Sequence, residues 1–132
     1  MIETIAAGVV LVAGLYLVGL GVGSFVARER AGRFLMSFAG SARAHYTELV
    51  VRLFVGGAIL LRAQAMLFPR AFVVFGWVIL ITTICLFAIP WRWHHRFAQK
   101  VVPPAVRHVR LVGVASMLMG TFILIALTMG PR

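Results

Sequence analysis

A chain of 132 residues has room for one domain, and with 62% apolar against 12% charged residues it cannot clothe a water-soluble surface. Mean hydropathy is +1.03. Three acidic against thirteen basic side chains leave a net charge of +10, which in a soluble domain would point to nucleic acid. In a membrane chain the same excess has another origin, the attraction of basic loops to anionic headgroups, and the placement of the charges favours it. The single cysteine, Cys85, excludes an intrachain disulfide and reads as an inert, buried thiol inside an apolar run.

A hydrocarbon layer about 30 Å thick takes about 20 helical residues to cross. Four runs qualify: residues 5–27, 49–68, 71–89 and 111–129. The first is uncharged, and its length, with Glu3 and no Lys or Arg before it, sets it apart from a secretory leader. The second carries Arg52 and Arg62 and is the weakest helix taken alone. A short turn around Pro69 joins it to the third run as an antiparallel hairpin, and Pro90 closes the third. None of the runs alternates as a barrel strand does, so helices are what remains.

Between these runs lie two basic segments, residues 28–44 and 91–102. In the first, Ala31, Phe34, Leu35, Phe38 and Ala42 recur at helical spacing opposite Arg30, Arg33, Ser37 and Ser41. In the second, Trp93, Phe97 and Val101 stand a turn apart among Arg92, Arg96 and Lys100, until Pro103-Pro104 stops the helix. Both patterns predict amphipathic helices in the headgroup layer, with Arg28, Arg30, Arg33, Arg92, Arg96 and Lys100 on anionic lipid. Ten of the thirteen basic residues fall in or beside these two connections; Arg62, Arg70 and Arg132 fall on the other side. The positive-inside rule then puts both connections in the cytoplasm and both termini outside it.

A shift of 63 residues aligns Arg33 with Arg96, Phe34 with Phe97, Ala42 with Ala105, His45 with His108, Val51 with Val114, Gly57 with Gly120 and Leu61 with Leu124. The expected architecture is therefore all-α: an integral membrane four-helix bundle, read as two parallel-repeat helix pairs with amphipathic interfacial segments. The stretch Ile89-Pro-Trp-Arg-Trp-His-His-Arg-Phe97, followed by Arg110-Leu-Val-Gly113 and Gly120, resembles small bacterial inner-membrane proteins that carry an apolar helix ending in Pro and aromatics, a basic stretch, and Arg-x-x-Gly opening the next helix. That resemblance implies topology only, and no activity.

Arg62 is the first candidate for chemistry, because a charge at the centre of a membrane helix costs about 2.5–3.5 kcal/mol. It reads either as an arginine reaching out to the interface or, with Gln64, Thr82 and Thr83, as a polar site for a solute or ion. Arg52 follows Glu48 by four residues, the favourable order for a helical ion pair. His45 and His108 open the second and fourth runs at repeat-equivalent positions and are the one candidate pair for haem or metal. Gly19 with Gly23, and Ser116 with Gly120, are small-residue steps for helix packing within the chain or between copies. No HExxH, CxxC, GxSxG or phosphate loop occurs, and there is no Asp, so no enzyme and no cofactor are expected.

The leading expectation is a non-enzymatic accessory or scaffold protein packing on a membrane partner and anionic lipid. The alternative is a small oligomeric transporter or channel around Arg62 and Gln64; a third is a haem or metal carrier through His45 and His108. The topology is checked by cysteine labelling. With Cys85→Ser as background, a cysteine at Ser37 should react with an impermeant maleimide only from the cytoplasmic face, and reaction from the outer face would reverse the orientation.

Overall fold

The computed structural model describes residues 1–37 and 41–131, with side chains throughout these except at 102–106. Phe38 and Arg132, and the side chain of Ala105, used in the sequence reading, lie outside the described residues. Among the described residues there are six α-helices and no strand: α1 (Ile2–Val26), α2 (Arg28–Ser37), α3 (Ala42–Arg62), α4 (Pro69–Ala88), α5 (Trp91–Arg107) and α6 (Val109–Thr128). Four of them, α1, α3, α4 and α6, are long and apolar enough to cross a membrane, and α3 is the least apolar.

The boundaries differ from expectation where polar chemistry sets them. Helix α3 starts at Ala42 rather than Leu49, because the Ser41 hydroxyl accepts a hydrogen bond from the Ala44 amide (3.1 Å) and satisfies one of the open donors of the first turn. It ends at Arg62, earlier than residue 68, in a 3-10 turn Ala63–Ala65. Phe68 then takes a left-handed conformation (φ 56°), uncommon for a bulky residue, which reverses the chain into Pro69 at the first turn of α4. The amide of Leu67 ties this turn to the end of α6 through the Ala126 carbonyl (3.0 Å), and Phe72 stacks on Phe122 at 5.4 Å.

Pro103-Pro104 does not stop α5, which runs to Arg107. A proline's φ of about −65° is itself helical; what it forfeits is an amide hydrogen bond. The carbonyls so released are those of Gln99 and Lys100, both on exposed residues where water or headgroups can take over.

The most extensive contacts are those of α1 with α6 and of α3 with α4, followed by α1 with α3. The first depends on glycine. A Cβ on Gly21 would sit 2.7 Å from the Gly113 carbonyl oxygen, and one on Gly120 would sit 2.7 Å from that of Gly14. Both helices thus approach backbone to backbone, in antiparallel sense, at positions seven residues apart. In the second pair Gly56 and Gly76 play the same part: a Cβ on Gly76 would lie 2.8 Å from the Leu60 side chain and 3.2 Å from the Gly56 carbonyl. Of the expected small-residue steps, Gly120 lies in a seam; Gly19 and Gly23 face open space. Ser116 is half-buried. Exchange of α1 with α4 and α3 with α6 maps the two glycine-lined pairs onto each other, but the closeness of α1 to α3 has no equal between α4 and α6.

This packing gives the molecule two unlike ends. Met1, the turn before Pro69 and the end of α6 share one end, where the core is built from Ala6, Val10, Ile59, Met66, Phe72, Ile123 and Ala126. At the other end α2 turns back along α1 until Phe34 meets Tyr16 (6.2 Å), ten residues before the end of α1. The apolar stripe of α2 is therefore partly covered by the chain itself, with Ala31 and Gly32 buried. Cys85 is exposed on the apolar surface of α4, because the buried face of that helix is defined by Phe72, Gly76 and Thr83.

The glycine seam is checked by thermal unfolding in detergent. Gly21→Ala should destabilise by about 1–3 kcal/mol, the usual scale for overpacking, whereas Gly19→Ala should change little. Equal effects would mean that α1 and α6 do not approach as described.

Candidate functional site

Four polar side chains of the long helices, Glu48, Arg52, Thr82 and Thr83, meet where α3 faces α4. Arg52 stands ten residues from either end of α3, about 15 Å by helical rise. Its Nε donates to the Thr83 hydroxyl (3.1 Å), one Nη donates to the Thr82 hydroxyl (3.0 Å), and the other lies 3.6 Å from a Glu48 carboxylate oxygen. Thr82 and Thr83 give their own protons to backbone carbonyls of α4, at 2.7 Å to Val78 and 2.6 Å to Ile79. Their oxygen lone pairs are thereby left to accept from the guanidinium. The cluster is a clasp between two helices in which the guanidinium finds its partners within the protein.

This arrangement redistributes the residues expected to line a solute site. Thr82 and Thr83 belong to Arg52, and Arg62 lies ten residues away along α3, so the four do not converge. Arg62 is half-buried beside the turn, with its Nε enclosed and unpartnered among the described residues. Gln64 is exposed at the rim of a shallow concavity it shares with Phe68, Pro69, Arg70, Ala71, Val73 and Val74, whose lining is almost wholly apolar. The Glu48–Arg52 ion pair stands at the expected spacing, joined by threonine contacts that sequence reasoning did not assign.

One turn before Glu48, His45 is buried at 1% exposure, with neither ring nitrogen hydrogen-bonded to a described residue. Its ring faces His94 of α5, centroids 4.3 Å apart and planes inclined by 31°, and meets Tyr46 edge-on at 5.2 Å. His108, the expected partner of His45, sits at the N-cap of α6. The imidazole pair that the fold brings together is His45 with His94.

The basic residues occupy the end formed by α2 and α5. Arg28, Arg30, Arg33, Arg92, Arg96 and Lys100 are all exposed. The two helices touch, and Arg28 donates to the Arg107 carbonyl at 3.0 Å. Helix α5 turns Ala98 inward and leaves Trp93, Phe97 and Val101 exposed at 46–65%. Among the described residues, no group of three or more His, Cys, Asp or Glu side chains is placed to hold a metal ion.

No known protein family, curated protein or solved structure matches this chain.

The clasp is checked by a double-mutant cycle on unfolding in detergent. Arg52→Leu and Thr83→Val should couple by about 0.6–1.7 kcal/mol, the range of interhelical hydrogen bonds in membranes. Additive effects would mean that the pair is not formed.

Proposed function

We propose that this is a multi-pass protein of the bacterial inner membrane, with its basic end in the cytoplasm and both termini outside. In this reading it acts without catalysis, as an accessory or scaffold subunit. Arg28, Arg30, Arg33, Arg92, Arg96 and Lys100 hold anionic lipid of the inner leaflet, and the exposed apolar and small-residue faces, Gly19 and Gly23 among them, pack on a membrane partner or a second copy.

One observation carries the reading: six exposed basic side chains sit on two contacting helices at one end, next to the exposed Trp93, Phe97 and Val101 of α5. Each Lys or Arg near an anionic surface contributes about 1 kcal/mol, and apolar side chains beside it enter the acyl boundary. The interior supports the non-transporting choice. Its most polar level is closed by Arg52, Thr82, Thr83 and Glu48 acting on one another, which leaves no convergent lining around Arg62 and Gln64.

The test is lipid-dependent stability in detergent. Phosphatidylglycerol should raise the Tm where phosphatidylcholine does not, and the gain should vanish when the six basic residues are replaced by Gln. It should also shrink at about 1 M salt, where the Debye length is about 3 Å. An equal response to both lipids would defeat the lipid part of the proposal. Solute flux in liposomes that depends on Arg62 would defeat the scaffold part.

A further inference from the structure

We infer that His45 and His94 form a binding site for a borderline transition-metal ion of the copper and zinc class. Two imidazoles bound to one ion place their nitrogens about 2.0–2.1 Å from it, which for ligands at roughly 90–110° sets ring centres about 4.5–5.3 Å apart. The observed separation of 4.3 Å needs an adjustment of only about a few tenths of an ångström to reach that range. The planes are tilted by 31°, so the two rings are not parallel.

The state of His45 gives the second observation. An imidazole at 1% exposure with neither nitrogen hydrogen-bonded to a described residue carries the desolvation cost of two polar atoms without return, and coordination would use the lone pair of one of them. Helix α3 places Glu48 three residues further on, on the same side of the helix within one turn. That carboxylate offsets part of the ion's charge. Against it stand Arg52, which shares Glu48 at 3.6 Å, and the basic residues Arg92 and Arg96 flanking His94.

These opposing charges, and a protein ligand set of two, define the kind of site. The remaining positions would be filled from the half-buried His94 side, which makes the site exchangeable rather than structural. It selects ions that favour imidazole strongly, Cu2+ before Zn2+ in the usual order, and discriminates against Mg2+ and Ca2+, which need oxygen cages. Because His45 belongs to a spanning helix and His94 to α5, occupancy would tie the basic end to the bundle. The site stands on its own geometry and is independent of the lipid and scaffold proposal.

The experiment uses the full chain, purified in detergent without a histidine tag, with Cu2+ or Zn2+ alone as probe. Equilibrium dialysis with elemental analysis should give one ion per chain, and the Cu2+ electron paramagnetic resonance spectrum should carry splitting from two imidazole nitrogens. His94→Ala, at a half-buried position, should weaken binding at least about tenfold, since losing a direct ligand costs no less than losing its supporting hydrogen bond. His95→Ala and His108→Ala should leave affinity and spectrum unchanged. Binding no tighter than in His94→Ala, or loss of binding with His108→Ala instead, would overturn the assignment.

Discussion

The fold depends on how closely α1 and α6 can approach. Between two helices that are apolar on nearly every side, no difference in hydrophobicity selects the contacting face; shape does. Gly14 and Gly21 on α1, with Gly113 and Gly120 on α6, remove the side chains that would hold the backbones apart: a Cβ on Gly21 or Gly120 would collide with backbone oxygen, one on Gly14 with the Leu124 side chain, and one on Gly113 with that of Ser24. Once this antiparallel seam is set, the beginning and the end of the described chain share one end of the molecule. The connections carrying α2 and α5 must then share the other, and the segregation of basic charge follows from packing as much as from composition.

Run length alone made the four long helices legible, because nothing but an apolar stretch of about 20 residues satisfies both lipid and backbone. The start of α3 was hidden by Arg43, His45 and Glu48, which depress hydropathy over a turn that Ser41 nonetheless caps. The packing glycines were hidden for a different reason. Gly19 and Gly23 carry the familiar four-residue step but face open space, while the seam uses a seven-residue step, two turns along one face of a helix. Prolines misled for a third reason: the expected break assumes a missing hydrogen bond is intolerable, and at an exposed interface it is not.

The site was legible in parts. Glu48 and Arg52 stand at a spacing that predicts their ion pair, and Thr82 with Thr83 drew notice as polar residues in an apolar run. Their assignment to Arg62 ignored the hairpin register. Counting back equally from the turn between α3 and α4 puts the threonines within a helical turn of Arg52 and far from Arg62. That signal was present in the sequence and needed only the position of the turn. The contact of His45 with His94 had no such signal, because it depends on the angle at which α5 leaves α4, which no pattern in the chain encodes.

Two kinds of buried polar group emerge, and they have different consequences. Arg52 makes α3, the least apolar of the four long helices, tenable by pairing it with α4, so that the helix with the poorest claim to a lipid setting is the one with the most polar partners. A polar group that is satisfied in this way fixes a register and has little left to offer a ligand. His45 is the opposite case. It is enclosed as completely as Leu49 in the same helix, yet among the described residues neither of its nitrogens has a hydrogen-bond partner, and it faces a second imidazole on α5, whose Trp93, Phe97 and Val101 lie exposed. With Arg52 satisfied by its neighbours, an imidazole without a hydrogen-bond partner among the described residues, at the junction of bundle and basic helices, is the point at which binding would be felt by both.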